Sequence, residues 1–269
     1  MKLYSQIAII FMLIFQINSY SQENKSIHEK LLDDGIIFLN DAGSYFTYPL
    51  RMSGREWLGV GSVTLGTYGL MHLDNKMHDA IGRNTIKTLN DDLWDIPTYY
   101  GFIKYANLAA ISTYTVGIVS GKDEVRKVGR MLFQSLSYSG ITVMFFRTIF
   151  GRDRPETNKG SWEFRGLSFN SNLPSFPSGH CTVAFAFSTV LAEYFDTKWS
   201  RIFFYGFASL TAYARVLNNQ HWFSDVVIGS LVGMSGGMFV INQQNVREKK
   251  NKLSITPTFN GLHLSYRLD

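Results

Sequence analysis

The sequence predicts an all-α protein, a helical bundle with about six core helices and a small β-hairpin at its C-terminal end. Apolar segments of helical length recur at 57–71, 105–119, 131–150, 181–195, 202–216 and 226–241. They are rich in Gly, Ser, Thr and Ala, the small residues that let helix backbones approach closely in a membrane or in a compact bundle. Beyond Asn242 the composition turns polar and basic, and KLSITPTFNGLHLSYRLD then alternates apolar and polar residues on both sides of Asn260 and Gly261, a hairpin pattern.

In chain order, Lys2 precedes an apolar stretch at 7–17, and Ser19 and Ser21 hold the small-residue spacing that a signal peptidase reads. Residues 1–21 are therefore expected to be a signal peptide, with an uncleaved anchor as the alternative; both export the chain. Ile27, Leu31, Leu32 and Ile36 recur at near-helical spacing, which makes 22–50 an amphipathic opening region. The bundle is expected over 51–245 and a basic tail carrying the hairpin over 246–269. Three connections stand out: an acidic loop with Asp91, Asp92 and Asp95, a basic loop at 121–130, and a long polar loop at 151–179. The three aspartates precede Trp94 and Pro97 and read as a solvated turn or helix cap rather than a metal site.

At 269 residues, with 45% hydrophobic and 15% aromatic side chains, the chain has ample core material for one large domain or two small ones. Its charged fraction of 17% is low for a soluble protein, whereas a mean hydropathy near zero is dilute for a polytopic membrane protein. Both readings stay open. Several apolar segments fall short of the roughly 20 residues of a straight span. Lys and Arg flank the segments on the side away from the long polar loop, which turns that loop to the periplasm. Six spans after a cleaved leader would place it in the cytoplasm, so one segment does not span or the bundle is soluble or peripheral. A net charge of +5 suits anionic partners. The basic residues are scattered and carry no nucleic-acid motif, so nucleic acid is excluded as a partner. Cys181 is the single cysteine, which excludes an internal disulfide and a thiolate metal cluster.

The chemistry concentrates around FPSGHCTVAFAF, 176–187. A helix beginning there turns unpaired N–H groups around Ser178 and Gly179, and the positive end of its dipole, towards an anion. Ser178 adds a hydroxyl, Gly179 permits close approach, and His180 can give or take a proton near neutral pH. Alone the stretch reads equally as an N-cap followed by a polar first turn. Upstream, RTIFGRDRP (147–155) supplies Arg147 and Arg154; downstream, ARVLNNQHWFSD (214–225) supplies Arg215, His221 and Asp225. Three guanidiniums suit one phosphoryl group. Asp225, four residues beyond His221, is placed to fix the imidazole tautomer. Arg152 and Asp153 read as loop polarity.

These three motifs, in this order and spacing, resemble the type 2 phosphatidic acid phosphatase family, PAP2, which shares its core with vanadium haloperoxidases and bacterial class A acid phosphatases. PSGH at 177–180 fits the family pattern completely; Arg147 stands where the family usually has lysine, and Ala214 where it has serine. The resemblance implies a helical bundle of the PAP2/haloperoxidase type. It implies His221 as the nucleophile forming a phosphohistidine, Asp225 as its orienting partner and His180 as the general acid. Arg147, Arg154, Arg215, Ser178 and the Gly179 amide would hold the phosphoryl oxygens, with no metal or other cofactor. The function so implied is a phosphatase of the cell envelope acting on a lipid phosphate or diphosphate, membrane-associated with its site facing the periplasm. The alternatives are a soluble periplasmic acid phosphatase acting on small phosphate esters, a vanadate-dependent haloperoxidase, and a non-catalytic anion-binding membrane protein. Oligomeric state is not readable from these features.

Overall fold

The computed structural model describes residues 25–84, 91–167, 174–258 and 261–266; the expected signal peptide lies outside them. Among these residues the chain forms α1 (Ile27–Phe46), α2 (Gly54–Met71), α3 (Asp74–Asn84), α4 (Asp91–Tyr100), α5 (Ile103–Ser120), α6 (Asp123–Phe150), α7 (Gly179–Phe195), α8 (Lys198–Leu217) and α9 (Phe223–Lys252). Strands β1 (Leu253–Thr258) and β2 (Gly261–Tyr266) follow as an antiparallel pair, with Leu253 opposite Tyr266 and Thr258 opposite Gly261. The fold is all-α with the hairpin as a terminal addition.

Local chemistry sets several helix ends. Ser26 with Glu29, and Ser53 with Glu56, form capping boxes that satisfy the first N–H groups of α1 and α2. Gly121 and Gly151 close α5 and α6 in the left-handed conformation that glycine adopts without steric cost.

Helix α7 is the axis of the bundle. Its residues from Cys181 to Ala192 are all buried, enclosed by α6, α8 and α9, with α5 laid on α6 and α4 on α8. Glycine lets α9 come close: a Cβ at Gly229 would lie 2.4 Å from the Ser178 carbonyl oxygen. That contact sets the start of α9 against the start of α7, and the predicted motifs meet there.

Four expectations change. The segment 121–130 is a tight turn followed by the first two turns of α6, because Asp123 and Glu124 suit the helix N-terminus and Arg126 and Arg130 are neutralised by Asp34 of α1. The region around the acidic triplet holds helices α3 and α4 instead of a loop, and α9 runs on through the polar tail to Lys252. Helix α1 is amphipathic with its faces reversed relative to a water-soluble bundle. Ile27, Leu31, Leu32 and Ile36 point outward, while Asp34 and Asp41 are buried against Arg126, Arg130, Gln134 and Arg247. A burial term that drives apolar groups inward operates only against water. Other helices expose apolar side chains too, among them Leu65 of α2, Val119 of α5, Phe145 of α6 and Phe203 of α8. Among the described residues one helix, spanning Phe223–Lys249, is long and apolar enough to cross a membrane.

Candidate active site

All eight residues singled out from the sequence lie at one end of the bundle, where α6 ends and α7 and α9 begin. Arg147 sits in the last turn of α6, buried, and its Nε donates to the Pro177 carbonyl at 2.9 Å. Its guanidinium lies flat over Gly179: a Cβ there would fall 3.2 Å from Nη2 and 3.3 Å from Cζ. Arg154 donates to Gln220 Oε1 at 2.8 Å, which ties the second arginine to the residue before His221. Arg215, in the last turn of α8, reaches Thr98 Oγ1 of α4.

Ser178 precedes the first turn of α7, and its N–H donates to the Asp225 carbonyl at 2.9 Å. Its hydroxyl makes no cap bond within the helix. Ser178 Oγ, His180 Nε2 and Arg215 Nε are buried and have no hydrogen-bond partner within the protein. Polar atoms buried in that state are costly unless something else satisfies them; Ser178 Oγ and Arg215 Nε are donors suited to an oxyanion, and His180 Nε2 is one whenever it carries the ring proton. His180 is packed by the Phe102 ring, centroids 4.8 Å apart. Arg215, His221, Arg147 and Arg154 all act electrostatically on it, a measure of how tightly the cluster is drawn together.

His221 lies in the 218–222 connection between α8 and α9, 2% exposed. Burial pushes its pKa down to about 4; Asp225 opposes that shift, and the positive charges of Arg147 and Arg154 add to it. The ring is therefore neutral at physiological pH. Nδ1 is 3.8 Å from Asp225 Oδ2, beyond hydrogen-bond length, and the Ser175 hydroxyl fills the gap. Ser175 Oγ stands 3.3 Å from Nδ1 and donates to Oδ2. The spacing of four residues thus brings imidazole and carboxylate together, with the contact made through a third side chain.

Sequence reasoning missed four groups. Arg152, read as loop polarity, is 1% exposed and is the hub of the region beneath the histidine. Its Nη1 donates to Asp225 Oδ1 at 2.6 Å and Ser224 Oγ at 2.8 Å, its Nη2 to Asp74 Oδ2 at 2.7 Å, and its Nε to the Ser161 carbonyl at 2.9 Å. Asp153 is also buried; its side chain holds Arg165 and its carbonyl accepts from Trp222 Nε1. The available signal for Arg152 was its place directly after the helix-ending Gly151 within the arginine motif, where the chain turns inward. Asp74 and Ser175 carry no comparable signal, since each acts only across the fold.

Residues 130–249 match the model of the PAP2 superfamily. The matched region, from the second turn of α6 into the end of α9, is a PAP2-type domain. A lipid A 1-phosphatase of Porphyromonas gingivalis is 37% identical over 239 residues, covering 86% of this chain and 48% of the relative. A lipid A 1-phosphatase of Rhizobium johnstonii is 32% identical over 108 residues, 39% of this chain and 43% of that protein. The chain thus spans about half the length of the curated relatives it matches. A transmembrane PAP2-type phosphatidylglycerolphosphate phosphatase from Bacillus subtilis shares the fold, with a TM-score of 0.53 at 17% identity over 80% of this chain and 96% of that one. The PAP2 match begins at Arg130 and encloses every predicted site residue.

Proposed function

We propose that this chain is a phosphatase of the cell envelope that removes phosphate from a lipid phosphomonoester or diphosphate by way of a phosphohistidine on His221. The observation that carries the reading is the convergence of three arginines, two histidines and Ser178 on one end of the bundle, with buried unpartnered polar atoms on Ser178, His180 and Arg215. In the proposed reaction Nε2 of neutral His221, the ring nitrogen turned away from Ser175, attacks phosphorus. As the bond to the leaving oxygen breaks, His180 gives that oxygen its proton. Arg147, Arg154 and Arg215, with Ser178 and the Gly179 N–H, hold the oxygens whose charge redistributes. Water then attacks the phosphohistidine, His180 takes the water's proton, and the N–P bond breaks to release inorganic phosphate and neutral His221.

A lipid headgroup is the favoured substrate because the helices around the site expose large apolar side chains, and because the named relatives act on lipid A and on phosphatidylglycerolphosphate. The exposed apolar face also favours a membrane setting over a soluble acid phosphatase. Arg126, Arg130 and Arg247 cluster at the start of α6 and the end of α9, the pole opposite the site. The positive-inside rule then turns the site towards the periplasm.

The deciding experiment assays purified protein, with and without EDTA, on a lipid phosphate and an activated aryl phosphate. His221→Ala is expected to lose turnover on both and to form no acid-labile phosphoenzyme. His180→Ala is expected to lose the lipid phosphate while partly sparing the aryl phosphate, whose leaving oxygen needs little protonation. Phosphate labelling of His221→Ala, or equal loss of both substrates in His180→Ala, would reverse the two roles, and loss in EDTA that a divalent ion restores would refute the metal-free scheme.

A further inference from the structure

The proposed reaction needs His221 with a proton on Nδ1 and a lone pair on Nε2, yet the carboxylate four residues on stands 3.8 Å from Nδ1, beyond hydrogen-bond length. Ser175 resolves this. Its hydroxyl donates to Asp225 Oδ2, so it can only accept at its lone pairs, and the group facing them at 3.3 Å is Nδ1. The resulting chain, Nδ1–H to Oγ and Oγ–H to Oδ2, places the proton where the mechanism wants it. Oδ2 also accepts from the Trp222 N–H at 2.9 Å, so this oxygen is fully engaged.

The other oxygen belongs to Arg152. Nη1 takes Oδ1 of Asp225 and Nη2 takes Oδ2 of Asp74, with all three side chains buried. Asp74 in turn accepts from the Ser224 N–H at 2.9 Å and from its hydroxyl at 2.6 Å, pinning the first turn of α9. The Ser161 carbonyl, accepting from Nε and Nη2, and Ser224 Oγ, accepting from Nη1, take the donors the two carboxylates leave, so none remains for substrate, which separates Arg152 from the three arginines above it. The rings of Phe164 and Trp222 sit over its Cζ at 5.3 and 5.6 Å and close the site to water.

We propose that Arg152, anchored by Asp74 of α3, is a positioning residue that aims Asp225, and that Ser175 transmits that aim to Nδ1 of His221. The inference rests on the phosphatase reading for its kinetic consequence and on geometry alone for its effect on the imidazole. It also gives α3, which lies outside the region matched to the family, a part in the site.

The test compares Arg152→Gln, Arg152→Lys, Asp74→Asn, Ser175→Ala and the double variant Asp74→Asn/Arg152→Gln with the parent protein in detergent. Steady-state kinetics use an aryl phosphate, and inorganic phosphate serves as competitive inhibitor. Losses of roughly 10- to 100-fold in kcat are expected, the range seen for groups that orient a functional side chain. KM and the phosphate inhibition constant should stay within about threefold, because the arginines that hold the anion are untouched. Arg152→Lys should regain part of the loss. The double variant keeps the network's net charge while removing the aim, so it should fold and remain slow.

The second readout needs no turnover: the His221 titration followed by NMR, assigned with His221→Gln. The groups facing this ring are Arg147 of α6, Arg154 of the long loop, His180 of α7 and Asp225 of α9. Removing the Arg152 charge leaves Asp225 uncompensated, so Arg152→Gln should raise the midpoint; Asp74→Asn leaves Arg152 in excess and should lower it, each by on the order of one pH unit. Opposite shifts support the proposal even if no phosphate ester is turned over, in which case only the phosphatase reading falls. An unchanged midpoint in both, parental kcat in Arg152→Gln, or a rise in KM that accounts for the whole loss would overturn it.

Discussion

The surroundings of His221, the proposed nucleophile, keep its ring neutral well below the ordinary imidazole range. Burial disfavours the charged ring, Asp225 favours it, and burial wins, leaving the pKa at about 4. The sign is that of a base whose pKa is depressed: His221 is neutral above about pH 4 and charges as the pH falls through that value. The acid limb of kcat/KM, which reports the free enzyme, should therefore lie near pH 4 once the ionisation of the substrate phosphate is allowed for. A limb at the ordinary imidazole value, about 6.5, would mean that the ring is solvated in the resting protein. The arginines differ as sharply from one another as the histidines do. Arg147, Arg154 and Arg215 are the proposed anion holders, whereas Arg152 is spent on two carboxylates.

At the scale of elements, the site exists because two helix starts are pressed together. Ser178 and Asp225 share a backbone hydrogen bond, Thr182 Oγ1 accepts no such role but donates to the Gly229 carbonyl at 2.8 Å, and Gly229 offers no side chain to keep α7 away. Gly229→Ala would place a methyl 2.4 Å from the Ser178 carbonyl, a backbone atom that can yield only if α7 or α9 moves. Overpacking of this kind costs about 1–3 kcal/mol. The expected result is a lower unfolding temperature in detergent together with a loss of kcat, since the same shift displaces Ser178 and Asp225. An alanine variant with parental thermal stability and activity would show that the two helices are not locked at this point.

For the whole molecule, polarity is arranged along the bundle and around it. One pole carries the cluster of Arg126, Arg130 and Arg247 with Asp34 and Asp41; the other carries the candidate site; between them many large apolar side chains, Leu65, Val119, Phe145 and Phe203 among them, are exposed. A surface of that kind is stable in hydrocarbon and sticky in water. Washing membranes with alkaline carbonate should therefore leave the protein in the pellet. Clean release into the supernatant would favour a peripheral bundle and remove the support that the apolar surface lends to a lipid substrate.

How much of this was legible from residues alone depends on the range of the interactions concerned. The six apolar segments, the hairpin alternation and the three motifs are local patterns, set by helix period, turn chemistry and short spacings, and each appears in the structure, although α6 begins eight residues before its apolar segment and α9 runs eleven beyond its own. Arg147, His180 and His221 announce themselves because arginine and histidine are conspicuous in apolar surroundings. Arg152 was misread, since one arginine among three in a polar loop shows nothing of its burial, and the outward turn of Ile27 and Leu31 on α1 depends on which surface meets Asp34. By itself the sequence singled out the residues proposed to bind and transfer a phosphoryl group and the order in which helices carry them. Only the tertiary structure decided that Ser175 stands between His221 and Asp225 and that Asp74, 151 residues before Asp225, holds the arginine beneath them, because contacts between distant segments are fixed by packing and leave no periodic trace in the chain.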